Sequence, residues 1–294
     1  MELKKFWVKN FKSLKDVAIE FPTKLTAVIG RSGSGKTALV EAFEMLRNAR
    51  YSQAAVGIEV RRQKCRTIYE LDRGKRTLIS NCGSDEAGAV QEFLNGTVVI
   101  KDINWKAVRS LQPAVREERL LPDASNFLPF LYTVTGGAIP ESLIEALRYV
   151  FPVRDMQFAV DGNVLVLKIT TEDGTTLTQA TMPSGVLKTL ILETALETKP
   201  TMVVVDEFEN SLDPEAQQFL IDEFRSRGVY AVLATHSSVV LDYAKTPQEV
   251  VMLRLVGNET KAWRLGDEVK EELKKHKLTL SELIESGLLE PLVF

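Results

Sequence analysis

Gly30-Arg31-Ser32-Gly33-Ser34-Gly35-Lys36-Thr37 is the stretch that decides the fold: a glycine, four residues, then Gly-Lys-Thr. An apolar run, residues 25–29, leads into it, and residues 38–50 follow with Leu39, Ala42, Phe43 and Leu46 at helical spacing. Strand, glycine loop and helix in that order form the setting a phosphate loop requires. Glycines leave backbone N–H groups free to turn inward around a β-phosphate, where side chains would obstruct it. The helix that begins near Lys36 adds its positive end. Lys36 is expected to reach the β- and γ-phosphates, and the Thr37 hydroxyl to take one magnesium position. ATP with Mg²⁺ is therefore the expected ligand, held by residues 30–37. The plainer alternative is a flexible Gly/Ser loop after a core strand.

A second motif carries the chemistry. Met202-Val203-Val204-Val205 is wholly apolar and runs into Asp206-Glu207. Carboxylates at the end of a buried strand cost solvation unless a cation or donor meets them. Asp206 is thus expected to anchor magnesium through a water, and Glu207, one residue on, to accept a proton from attacking water. The plainer reading is a strand that ends at the surface with an acidic cap.

The rest of the chain organises around these two motifs. Strands are expected at 3–10, 16–21 and 25–29, then an antiparallel meander over 57–80 at the edge of the core, with a turn at Asp72-Arg73-Gly74-Lys75. A strand at 98–100, a helix over 141–149 and a hairpin over 158–177 follow. Parallel α/β order returns with helices over 186–198 and 214–226, buried strands at 202–205 and 230–234, and a terminal hairpin from 249–255 and 261–265. A charged helix over 268–275 and a Leu-rich tail close the chain. This predicts one domain over 1–294: a core lobe of about 1–50 and 186–265, an inserted β/helical region of about 51–185, and a helical tail of about 266–294.

Composition narrows the class without naming a substrate. The chain has 294 residues, 45% of them hydrophobic and 26% charged, with a net charge of -3. That balance suits a globular domain and gives no bulk attraction to nucleic acid, although a local basic patch is compatible with it. No apolar run approaches the roughly 20 residues needed to cross a bilayer, so no membrane insertion is expected. The N-terminus alternates Leu3, Phe6, Val8 and Phe11 with lysines, the pattern of a buried strand rather than a signal peptide. Cys65 and Cys82 fit no metal spacing; a disulfide between them is one reading, and two free thiols in a reducing, cytoplasmic interior is the expected one.

Further segments fall in a recognisable order. Pro183-Ser184-Gly185-Val186 opens a helix upstream of the acidic strand, Glu209-Asn210-Ser211-Leu212-Asp213-Pro214 follows the carboxylate pair, and Thr235-His236-Ser237 closes the next apolar strand. With the opening Asn10-Phe11-Lys12-Ser13-Leu14-Lys15 and the tail Glu282-Leu283-Ile284-Glu285-Ser286-Gly287-Leu288-Leu289, the set resembles the ATP-binding-cassette ATPases, in particular their RecF-like and SMC-like branch of small standalone members. The resemblance implies an α/β P-loop NTPase with an ABC-type ATPase core: a mixed sheet, an antiparallel β meander and a helical signature subdomain. It makes Ser184-Gly185 the signature motif, Ser211-Leu212-Asp213 the loop joining the halves of a dimer, and His236 the switch histidine. Asp206 and Glu207 fall on its magnesium-associated aspartate and catalytic glutamate. The magnesium-sensing glutamine stays open between Gln91 and Gln112. A serine hydroxyl and a glycine N–H at a helix start make an anion receptor, which in this fold faces the γ-phosphate of a second subunit. An ATP-dependent homodimer is the implied assembly.

What such an ATPase acts on is less determined. Between Thr37 and Ser184 there is no sustained heptad pattern, so the long arms of chromosome-organising relatives are missing. Arg61, Arg62, Lys64, Arg66, Arg73, Lys75 and Arg76 could present a cationic face to a DNA backbone; equally, they could blunt a solvated sheet edge. Three classes stand: an ATP-switched DNA-associated ATPase in repair, recombination or phage defence, an ATPase subunit regulating a separate effector protein, and a nucleotide-binding module with little turnover.

Overall fold

The computed structural model describes residues 1–46, 53–62, 65–81 and 85–289. The chain first forms β1 (Glu2–Phe11), β2 (Leu14–Glu20), β3 (Leu25–Ile29), α1 (Lys36–Met45), β4 (Ala55–Arg62), β5 (Cys65–Asp72), β6 (Lys75–Ser80), α2 (Asp85–Asn95) and β7 (Thr97–Ile100). Then come α3 (Trp105–Arg109), β8 (Gln112–Pro113), α4 (Phe127–Val134), α5 (Glu141–Arg148), β9 (Val153–Asp161), β10 (Val164–Thr171), β11 (Thr176–Thr178) and α6 (Ser184–Glu197). The last stretch holds β12 (Met202–Val205), α7 (Pro214–Arg227), β13 (Tyr230–Ala234), α8 (Ser238–Asp242), β14 (Val250–Val256), β15 (Glu259–Arg264), α9 (Glu268–His276) and α10 (Leu280–Glu285).

These elements fall into two compact units, Met1–Val99 with Thr201–Glu207 and Gly228–Phe294, and Ile100–Pro200 with Phe208–Arg227. The first contains two sheets. One is antiparallel in the order β2-β1-β4-β5-β6; the other runs β15-β14-β3-β13-β12-β7, with β12, β13, β3 and β14 parallel. The parallel strands read as continuous apolar runs because both faces are covered, as all five residues of β3 and of β13 are buried. Helix α1 packs on β1 and β4 of one sheet and on β12 and β13 of the other. Its Leu39, Val40 and Phe43 are fully buried, and the Phe43 ring stacks on Phe6 at 3.9 Å.

The division differs from the expected lobes. The meander is no insertion at the edge of the core: β4 pairs along its length with β1, and Val56, Ile58 and Val60 are buried in the main core. The boundary falls at residue 99 rather than near 50. Conversely, α6 and α7 belong to the second unit, where they pack on each other and α6 also meets α4 and α5. The 249–265 hairpin forms, and β14 also extends the main sheet beside β3. The first helix, expected over 38–50, is described over Lys36–Met45, and residues 47–50 lie outside the described residues. Cys65 is disulfide-bonded, which corrects the expectation of free thiols; Cys82 lies outside the residues whose side chains are described.

In the second unit, Glu193 of α6 is fully buried. Arg227 lies 3.4 Å from it, 2.9 Å from Glu197 and 3.1 Å from Glu223. One cation cannot neutralise three carboxylates, and the most buried one keeps its proton. Burial, with the charge of Glu223, pushes the Glu193 carboxyl up to about 8 from 4.5. The folded chain therefore holds a proton there that the unfolded chain releases. That contribution is fully present below about pH 4.5 and is lost as pH rises to about 8. Glu193→Gln should remove this dependence, gaining on wild type across the window by an amount on the order of a few kcal/mol at its upper end. Urea denaturation of both proteins at pH 5 and pH 8 checks it; a pH-independent difference would mean that Glu193 is ionised in the fold.

Candidate functional site

In the first unit the glycine loop leaves the C-terminal end of β3 and enters α1 as the spacing predicts. Gly30 adopts φ 154°, Gly33 80° and Gly35 102°. A side chain at Gly30 would put its Cβ 2.3 Å from the Leu253 carbonyl oxygen, and one at Gly35 would approach Thr260 Oγ1 to 2.5 Å. Both glycines are therefore required by close packing as well as by backbone conformation. Thr260 of β15 secures the loop from outside: its hydroxyl donates to the Ser34 carbonyl (2.9 Å) and meets Ser13 Oγ (2.8 Å), while its N–H donates to the Ser13 carbonyl (2.8 Å). Nothing in the local sequence points to Thr260, because the bond joins residues 226 positions apart.

The side chains suit a polyanion. The Lys36 ammonium is buried and donates to the Gly30 carbonyl at 2.7 Å, folded back over the loop. The Ser34 hydroxyl is 3% exposed and has no hydrogen-bond partner, an orphan donor that a phosphate oxygen would satisfy. Arg31, Ser32 and Thr37 are exposed. A cavity of about 690 Å³ lies on the Gly30-to-Ser34 side of the loop; its lining includes Arg31, Ser32, Thr235 and His236, with Ile284 of α10 and Leu289. Lys36, Thr37, Asp206 and Glu207 do not line it, so this cavity is one flank of the site rather than its whole.

The carboxylates end the strand two places from β3 in the same sheet, in parallel register through β13. Asp206 is 8% exposed, and its Oδ1 accepts the Glu207 N–H at 3.1 Å. Glu207 is exposed and adopts φ 46°, a left-handed conformation that a residue with a side chain holds only when its surroundings dictate it. His236 follows β13 and is exposed. Its neighbour Thr235 donates its N–H to the Val28 carbonyl at 3.0 Å, which fixes this turn beside β3. The fold thus brings the phosphate loop, Asp206, Glu207 and His236 into one unit, at the C-terminal ends of its parallel strands, where open α/β sheets hold ligands.

Ser184, Gly185 and Asp213 lie in the second unit. Ser184 and Gly185 open α6, and a Cβ on Gly185 would fall 2.5 Å from the Ser211 carbonyl oxygen. Lys188 ties the same segment down by donating to the Asn210 carbonyl at 2.9 Å. Asp213 accepts the Ala216 N–H at 2.8 Å, capping α7. Of the two glutamines, Gln91 is exposed on α2 and bonds Asn95, whereas Gln112 is buried and donates to the Ala107 carbonyl at 2.8 Å.

Comparison with known proteins finds two partial family matches and a shared fold. Residues 1–117 match a family model described as "AAA ATPase domain". Residues 110–242 match one described as "AAA domain, putative AbiEii toxin, Type IV TA system". No curated protein matches the sequence. The fold is similar to the SMC head domain from Thermotoga maritima (16% identity, TM-score 0.57, 90% of this chain and 100% of that one). It is also similar to an Smc head bound to the C-terminal winged-helix domain of ScpA (16%, 0.65, 92% and 100%). A third is the Pyrococcus furiosus Smc head with an extended coiled coil, bound to the C-terminal domain of ScpA (13%, 0.64, 94% and 100%). At these identities the likeness is one of fold. Among the described residues no helix is long and apolar enough to cross a membrane.

Proposed function

We propose that this chain, which matches AAA-type ATPase models over residues 1–117 and 110–242 and has a fold similar to SMC heads, is an ATP–Mg²⁺-dependent switch that dimerises around nucleotide. The observation that carries the reading is the loop itself: a buried Lys36 ammonium and an orphaned Ser34 hydroxyl, in a loop whose Gly30 and Gly35 leave no room for a side chain. Backbone N–H groups of residues 30–35 hold the β-phosphate, and Lys36 holds the β- and γ-phosphates. Thr37, and Asp206 through a water, would hold the magnesium ion, which would supply charge neutralisation on the phosphates when bound. Glu207 takes the proton of the attacking water, and His236 donates to the γ-phosphate. Ser184 and Gly185 act on the nucleotide of a second copy, with Asp213 beside that seam. The working compartment is the cytoplasm.

Lys36→Ala tests the premise. At ATP–Mg²⁺ concentrations about a hundredfold above Kd, wild type should gain roughly 2.7 kcal/mol of stability by preferential binding to the folded state. The variant should lose most of that gain, read as the ATP-dependent shift in Tm and by titration calorimetry. Unchanged ATP affinity would remove the phosphate-loop assignment.

The regulated partner is either DNA or a protein. Glu59 engages two of the basic residues, Arg66 at 2.7 Å and Arg61 at 3.5 Å, which reduces the charge available to a phosphate backbone. Arg62, Lys75 and Arg76 are exposed, the last two on the edge strand β6, and Lys64 lies outside the described residues. If DNA is the partner, reversing Arg62, Lys75 and Arg76 to Glu should weaken binding across unrelated sequences. The salt slope should fall by about 0.9 for each phosphate no longer neutralised. Anisotropy of labelled duplex at several salt concentrations decides it, and equal binding by both proteins makes the patch a charged sheet edge. The ScpA domains bound to two similar heads favour the alternative of a separate effector.

A further inference from the structure

The start of α6 is held by a guanidinium. Arg109, the last residue of α3, donates through Nη1 to the carbonyls of Met182 (2.7 Å) and Ala180 (3.1 Å), and through Nη2 to Ser184 Oγ (2.9 Å). All four residues belong to the second unit, and Arg109 is half-buried. One planar fork therefore spans the turn that leads into the helix and the first side chain of the helix itself. A hydroxyl can both accept and donate. Because Ser184 Oγ accepts from Arg109, its own hydrogen is left to donate, and the arginine fixes its direction without competing for it. The Ser211 carbonyl leaves no room at Gly185, so the first turn is confined there as well. A lysine could replace the charge here but not the three simultaneous bonds, which need the fork.

We propose that Arg109 is a positioning residue of the composite site: it aims the Ser184 hydroxyl at the γ-phosphate bound on a second copy and places a positive charge behind it. This rests on the dimeric reading above. A purely structural brace would act within its own chain, whereas a positioning residue acts on the partner's nucleotide. Arg109→Ala should keep ATP affinity within about twofold, since Lys36 lies in the other unit, while kcat falls by roughly tenfold to a hundredfold with little change in KM. Arg109→Lys should recover part of the loss.

Mixing supplies the decisive measurement. Neither Arg109→Ala nor Lys36→Ala should hydrolyse ATP well alone. In a mixed dimer, one site pairs the intact Lys36 of the first variant with the intact Arg109 and Ser184 of the second, so activity should return on mixing. Ser184→Ala mixed with Lys36→Ala is the reference for action in trans. If the Ser184 mixture regains activity and the Arg109 mixture does not, Arg109 is a brace for its own chain and the inference is overturned while the composite site stands. Wild-type kcat in Arg109→Ala overturns it as well. If neither mixture regains activity and the wild-type chain stays monomeric with ATP–Mg²⁺, the composite reading itself fails, and this inference with it.

Discussion

Glu207→Gln should leave nucleotide binding intact and lower ATP hydrolysis by about a hundredfold or more. The substitution keeps the size and hydrogen-bonding reach of the side chain and removes only its charge and basicity. It also keeps the backbone. Glu207 leaves β12 at φ 46°, and glutamine meets the same left-handed cost as glutamate, so the difference in fold stability is small. The Glu207 N–H, which donates to Asp206 Oδ1, is untouched, so Asp206 keeps that contact. What would be lost is the proposed acceptor for the water proton, on an exposed residue at the end of a buried strand. Steady-state phosphate release measures the effect, with nucleotide affinity measured in parallel. Wild-type turnover in the variant would move the base to another residue and make Glu207 a turn-former. A large fall in affinity would instead mean that its charge serves the metal.

The parts of the site that can be read in the sequence are those whose physics is local. Gly30, Gly33 and Gly35 stand where positive φ is needed, Lys36 begins a helix, and four apolar residues precede Asp206; each requirement is met within a few neighbours. The unit boundary is not legible, because it is set by β4 pairing with β1 across some fifty residues. Residues 57–80 show a meander but not which sheet it completes. Helix α4 escapes sequence reading for a different reason. Phe127-Leu128-Pro129-Phe130-Leu131-Tyr132-Thr133-Val134 is apolar nearly all round and carries Pro129, which reads as a breaker but sits in the first turn, where no intrahelical N–H bond is needed. Arg109 has no sequence signal at all. Its partners lie 71 to 75 positions away, and a lone arginine at a helix end is ordinarily a charge complementing the helix dipole.

The largest change of state is expected in the assembly. With ATP–Mg²⁺ the Glu207→Gln chain should run as a dimer, and with ADP as a monomer, because the closed state cannot discharge. Lys36 and Glu207 lie in one compact unit and Ser184 and Gly185 in the other, so on the proposed reading each copy would carry both halves of a divided site. A γ-phosphate at Lys36 concentrates negative charge that needs donors fixed in place before transfer. The hydroxyl of Ser184 and the first N–H groups of α6 are such donors, and two-fold symmetry completes both sites together. Ser184→Arg puts bulk and charge at that seam. It should abolish the ATP-dependent dimer, shifting the midpoint of association by roughly tenfold or more, while ATP affinity at Lys36 stays near wild type. Light scattering coupled to size exclusion reads all three conditions. A monomer throughout, with ATP bound, would place the missing half on another protein. A dimer indifferent to nucleotide and to the Ser184 change would locate the interface elsewhere, with the 266–289 tail as the next surface to alter, since Ile284 and Leu289 already line the flank of the loop.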